Sequence, residues 1–229
     1  MNLETFPTRV AAAEAAAAAL AERLAPPGPK RLMVTGGHSP GPVYDRLART
    51  DLGWSRVTVT LSDDRFVGLD APESNEAMVR QRLLQHHAAA ATLAPLKGDG
   101  PTPAADAAAV EPVIAALAPF DATLLGMGAD GHIASLFPST PDVEALLDPA
   151  CPRHTVGVPV AGLEPFVPRI SLTGRALFAS DLIILLVSGD PKRALIERVL
   201  ADPAFAPPVS ALIRQTGAPV RILWSPDAP

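Results

Sequence analysis

The most apolar stretch of the chain, Asp181-Leu182-Ile183-Ile184-Leu185-Leu186-Val187, constrains the fold more than any other segment. A strand with one face in water alternates polar and apolar residues. Leu182 to Val187 has no polar residue to offer a solvent face, so it predicts a central strand covered on both sides, as in a parallel sheet flanked by helices. The turn after it, Ser188-Gly189-Asp190-Pro191-Lys192, opens a helix to about Leu200. Pro191 falls in the first helical turn, where a missing N–H costs nothing.

The same unit recurs along the chain. An alanine-rich helix is predicted over Thr8–Leu24 and ends at Pro26-Pro27-Gly28-Pro29. The strand Arg31–Thr35 runs into Gly36-Gly37-His38-Ser39-Pro40 and a helix at about Val43–Arg49. The strand Val57–Leu61 ends in Ser62-Asp63-Asp64-Arg65-Phe66-Val67. Glu73-Ser74-Asn75 caps a helix over Glu76–Leu84, with His86 and His87 finishing that element. After the loop Gly98–Pro103 come a helix over Ala104–Leu117 and a strand over Asp121–Leu125. Beyond Pro138 the pattern predicts helical turns at Asp142–Leu147, an edge strand at Thr155–Pro159, a strand at Val167–Leu172, a helical turn at Thr173–Leu177, a short helix within Pro207–Leu212 and a last strand at Val220–Trp224. Strand–helix alternation with polar turns at strand ends implies an α/β fold with a mostly parallel central sheet and helices on both faces. No repeat or strong boundary divides it, so residues 1–229 are read as a single domain.

Composition excludes several classes. Net charge is −5 with no basic block, which argues against nucleic acid as a partner. The single cysteine, Cys151, rules out an internal disulfide and a multi-cysteine zinc site. Cys151 has no neighbouring base in sequence and is not read as a nucleophile. No apolar run is long enough to span a membrane, and the N-terminal residues lack the pattern of a signal peptide. A cytoplasmic enzyme is expected. Its oligomeric state is left open and is compatible with a monomer.

Leu124-Leu125-Gly126-Met127-Gly128-Ala129-Asp130-Gly131-His132-Ile133-Ala134-Ser135-Leu136-Phe137-Pro138 concentrates the chemistry. Three glycines permit tight turns and close approach of the backbone to a ligand. Asp130 beside His132 suits general acid–base work near neutral pH, although an aspartate there serves equally as a turn residue. Gly126-x-Gly128-x-x-Gly131 matches the dinucleotide fingerprint formally, but no ribose-binding acid follows on a second strand, so that reading is set aside. In a parallel sheet the turns 36–40, 62–67, 126–138 and 188–192 converge. They bring Gly36, Gly37, Ser39, Arg65, Asp130, His132 and Lys192 together, with Arg169 from a neighbouring strand. Cations around a Gly-Gly-x-Ser turn suit a phosphate monoester. The expectation is proton transfer on a phosphorylated small molecule. His86, His87 and His154 lack ligand spacing and are expected to be exposed.

These residues also carry a resemblance. Gly126 to Pro138 resembles the signature of the 6-phosphogluconolactonases, in a superfamily shared with glucosamine-6-phosphate deaminases. Thr35–Pro40 resembles that family's Gly-Gly-Ser-Thr-Pro phosphate loop, and Asp63–Val67 its Asp-Glu-Arg segment. Pro168–Leu172 resembles its Pro-Arg-Ile-Thr-Leu strand, and Gly189–Lys192 its Gly-x-x-Lys turn. Ser74-Asn75 and Pro208-Val209-Ser210 follow in the right order. The resemblance implies a Rossmann-like fold and hydrolysis of a sugar-phosphate lactone, with no metal and no organic cofactor. His132 would be the general base and Asp130 its orienting partner or a substrate contact. Arg65 would hold substrate and developing oxyanion. Ser39, Arg169, Lys192 and the amides of Gly36 and Gly37 would hold the phosphate. Two departures stand out: His38 replaces a small hydroxyl residue, and Asp64 replaces a glutamate. The deaminase branch places a glutamate before the proline, where this chain has Phe137. A non-catalytic sugar-phosphate sensor is the other alternative, disfavoured by the intact Asp130-Gly131-His132.

Overall fold

The computed structural model describes residues 3–159 and 164–227. Its strands are β1 (Leu3–Thr5), β2 (Lys30–Val34), β3 (Val57–Leu61), β4 (Asp63–Arg65), β5 (Thr92–Ala94), β6 (Ala122–Leu125), β7 (Thr155–Val158), β8 (Arg169–Leu172), β9 (Ile183–Ser188) and β10 (Val220–Ser225). Its helices are α1 (Arg9–Leu24), α2 (Gly41–Ala48), α3 (Asn75–Arg82), α4 (Pro103–Leu117), α5 (Val143–Leu147), α6 (Gly174–Leu177), α7 (Asp190–Ala201) and α8 (Val209–Arg214). None of the described helices is long and apolar enough to cross a membrane.

Seven strands form one parallel sheet in the order β1-β10-β9-β6-β2-β3-β5. Ile183 to Val187 of β9 are all buried although successive side chains point to opposite faces, so both faces are covered, as the apolar run predicts. The Thr8 hydroxyl caps α1 by accepting from Ala11 N–H at 3.1 Å. Ala12, Ala13, Ala16, Leu20 and Leu24 of α1 are buried. This apolar stripe lets the helix lie close against β6, β9 and β10.

From β2 the chain winds outward to β3 and β5. It then returns to lay β6 on the other side of β2 and continues to β9 and β10. β2 and β6 therefore flank the point where the winding reverses. In open α/β sheets a crevice forms there, beyond the carboxyl ends of the strands.

A second, antiparallel sheet has the order β4-β8-β7, with α4 packed against β7 and β8. This departs from the expectation for 62–67. Asp63–Arg65 is not simply a turn but a strand that leaves the large sheet and pairs with β8. The predicted strands at Thr155–Pro159 and Val167–Leu172 form as β7 and β8, in this small sheet. β1 and β5 were not anticipated, since three residues carry too little periodicity. His86–Ala90 forms a 3₁₀ turn separate from α3. His86 and His87 are exposed as expected. His154 is not: it is part-buried, its Nδ1 2.7 Å from Glu111 Oε1 on α4.

Candidate active site

A cleft of about 460 Å³ opens where the winding reverses. Its walls include Gly36, Gly37 and Ser39 after β2, Arg65 on β4, His132 after β6, Arg169 on β8 and Lys192 on α7. Asp130 stands behind His132, at its Nδ1 edge.

The turn after β6 holds His132 from several sides. His132 Nδ1 lies 2.6 Å from Asp130 Oδ1, and the same oxygen accepts from His132 N–H at 3.2 Å. An ionised carboxylate only accepts. Against an ionised Asp130 the Nδ1 edge donates, and in the neutral ring that tautomer keeps a lone pair on Nε2. Gly128 N–H donates to His132 O at 3.0 Å, and Val209 N–H of α8 to Gly131 O at 2.8 Å. Gly131 has φ +85°, and a Cβ there would collide with Pro207. A Cβ on Gly128 would overlap both the imidazole and the Asp130 carboxylate. Phe137, fully buried, packs its ring 4.5 Å from that of His132 and lies 5.1 Å beneath the Arg169 guanidinium.

The turn after β2 offers backbone. Tyr44 of α2 donates its hydroxyl to Thr35 O at 2.5 Å and accepts from Thr35 N–H at 3.1 Å, clamping the end of the strand. Burial raises the Tyr44 pKa well above the usual phenol range. Beyond this clamp, the N–H groups of Gly36, Gly37, His38 and Ser39 donate to no acceptor among the described residues. Successive unpaired amides in a turn form an anion cradle. Lys192 closes it from α7. No carboxylate among the described residues lies within ion-pair distance of Lys192. Its pKa is depressed chiefly by burial; Asp227 opposes this and Arg9 adds to it.

The small sheet offers side chains. Its register sets Arg65 directly opposite Arg169. Burial lowers the pKa of Arg169, and the Arg65 charge lowers it further, with Asp63 opposing. Period-two alternation explains the neighbours: Asp63 and Arg65 line the cleft, while Asp64 between them points away. The buried Asp64 accepts from the N–H groups of Arg65 and Asn75 at 2.8 Å each and of Glu76 at 3.3 Å, and pairs with Lys97 at 3.2 Å. Burial raises its pKa and Lys97 pulls it back. Asp64 therefore anchors α3 to β4 and does not face the cleft. Arg65 Nη1 donates to Glu73 O at 2.9 Å and to Asn75 Oδ1. Asn75 Nδ2 donates to Asp63 O at 3.1 Å, and a Cβ on Gly36 would collide with its amide. Asn75 thus touches both walls.

The sequence puts the charges of 62–67 in ligand position without singling out Asp63, and it offers Asn75 only as part of a helix cap. The Asp63 carboxylate is buried at the cleft wall, accepting from Ser62 Oγ at 3.0 Å and Ser135 Oγ at 2.6 Å. The one available signal was the spacing of Asp63 and Arg65, which share a face only if the segment is extended.

A family model described as glucosamine-6-phosphate isomerases/6-phosphogluconolactonase matches residues 8–224. The chain belongs to this family. It is 44% identical to a 6-phosphogluconolactonase of Caulobacter vibrioides, over 98% of this chain and 97% of the relative. A 6-phosphogluconolactonase of Rhizobium meliloti is 36% identical over 98% and 99%. Among solved structures, a 6-phosphogluconolactonase from Shewanella baltica superposes with a TM-score of 0.88 at 32% identity, covering 97% of both chains. The family thus spans two chemistries, and Phe137 bears on the choice between them. At the position where the deaminase pattern carries a glutamate, this chain buries an aromatic ring against His132 and Arg169.

Proposed function

We propose that this protein hydrolyses 6-phospho-D-glucono-1,5-lactone to 6-phospho-D-gluconate, a step of the oxidative pentose phosphate pathway, as one domain spanning residues 1–229. The observation that carries the reading is the His132–Asp130 pair, in 2.6 Å contact at the wall of a cleft that gathers amides and the cations Arg65, Arg169 and Lys192, with Asp63 among them. Ser39, Arg169, Lys192 and the amides of Gly36 and Gly37 hold the phosphate. This places the lactone carbonyl toward His132 and Arg65.

His132 Nε2 takes a proton from water as the water oxygen attacks C1. Asp130 keeps the ring oriented and stabilises the imidazolium. Negative charge gathers on the carbonyl oxygen, where the Arg65 guanidinium stabilises it. The tetrahedral intermediate collapses by breaking the bond from C1 to the ring oxygen. The imidazolium returns its proton to that oxygen, leaving a hydroxyl and a carboxylic acid that ionises. No cofactor enters these steps. The partner is the small-molecule lactone, not nucleic acid or a membrane, and the compartment is the cytoplasm.

The alternative within the family is amino-sugar phosphate deamination. Phe137 favours the lactonase reading, because a buried aromatic ring supplies no carboxylate for the ring-opening relay. Purified protein should accelerate disappearance of the lactone and release no ammonia from glucosamine 6-phosphate. Ammonia release without lactone hydrolysis would reverse the assignment.

A further inference from the structure

His38 stands in the anion cradle where the resembled family carries a small hydroxyl residue. We infer that His38 is an additional anion-binding residue of this cleft, one that contributes as an imidazolium and couples phosphate binding to proton uptake. The inference rests on the proposed function only for placing the phosphate at the cradle.

Three observations carry it. His38 follows Gly37, whose φ of +92° turns the chain there. Its imidazole is exposed and makes no hydrogen bond or ion pair among the described residues. It also lines two spaces at once. Besides the catalytic cleft it borders an adjoining cavity of about 530 Å³, which shares Gly37, Arg65 and Asn75 with it. His38 is thus on the ridge between them, at the open side of the cradle.

The surrounding charges set the sign. From the cleft side His38 shares its cavity with Arg65 of β4, Arg169 of β8, Lys192 of α7 and His132, against Asp63 of β4 and Glu164. From the other cavity it shares walls with Asp70, Glu73 and Arg82. A phosphate dianion bound among these groups favours the imidazolium over the neutral ring. Histidine is the side chain whose charge changes between about pH 5 and 8. Affinity for a phosphorylated ligand should therefore strengthen as pH falls through that range. A serine or threonine there would show no such dependence.

The test uses sulfate, which stays a dianion across this range, titrated calorimetrically into the whole protein and into His38→Ser and His38→Gln. At about pH 6 the unsubstituted protein should bind sulfate about fivefold more tightly than either variant, the size expected of one partly exposed charge pair. At about pH 8 the gap should close. Titrations in two buffers of different ionisation enthalpy should show proton uptake that shrinks in both variants. His132 is present in all three proteins, so its own titration cancels in the ratio. Equal affinities at about pH 6, a gap that does not change with pH, or no sulfate binding would each overturn the inference. Because sulfate binding needs no turnover, failure of the lactonase reading would show separately, as absent hydrolysis by the unsubstituted protein.

Discussion

The two sheets build the two sides of the cleft by different means. The parallel sheet offers what strand ends offer, namely a run of unpaired amides after β2 and a glycine turn after β6. The antiparallel sheet contributes long cationic side chains matched by register, Arg65 opposite Arg169. A backbone cradle keeps its dipoles at any pH and costs little side-chain entropy. A guanidinium wall supplies full charges but must be desolvated and held; for Arg65 the guanidinium is held by Asn75 and the Glu73 carbonyl, and Asp64 fixes the backbone beneath it. The cleft thereby takes its amides and Lys192 from the layer of the parallel sheet and its guanidinium groups from the small sheet, and the two meet at Asn75 and Gly36.

Substitutions can separate the two contributions. The largest effect should come from the parallel-sheet side: His132→Ala should lower kcat about 10²- to 10⁴-fold, the range for a lost general base. Calorimetric binding of 6-phosphogluconate should change little; kcat within tenfold of the original would remove His132 from the role. On the other side, Arg169→Ala should raise KM by roughly 10- to 100-fold, the worth of a charge-assisted hydrogen bond. If kcat falls while KM holds, Arg169 serves the transition state and not phosphate binding. Gly36→Ala strikes the junction. Its Cβ displaces the Asn75 amide and should cost about 1–3 kcal/mol of stability in urea unfolding, with a raised KM. An undisturbed variant would mean that the walls are not coupled through Asn75.

The smallest effect is a pH dependence at Lys192. Burial lowers its pKa, so its charge is present below that value and lost as pH rises through it. KM should climb on the alkaline side at lower pH than for an ordinary lysine, and Lys192→Arg should remove the climb. A KM profile shared by both proteins would exclude Lys192 as its source.

The central strands of the parallel sheet and their turns were legible because their signals are local; the three-residue edge strands β1 and β5 were not. Leu182–Val187 has no polar face, and glycine next to histidine and aspartate after an apolar run leaves few alternatives. The small sheet was not legible in the same way. Asp63-Asp64-Arg65 looks like a polar turn, since strand pairing with residues near 170 has no local signature. Reading it as a turn hid the alternation that sends Asp63 inward and Asp64 outward. Asp64 had seemed a shortened glutamate in a substrate segment; it is a helix anchor instead. His154 was misjudged for a similar reason, because its partner Glu111 comes from α4 and not from its own neighbourhood.

The pairing of β4 with β8 joins segments separated by nearly half the chain. Closing so long a loop carries an entropic cost that only later contacts repay. In chain order the segments that build the amide cradle, β2, α2 and β3, all precede β8, so the guanidinium wall is complete only once a strand from the later part of the sequence has been added.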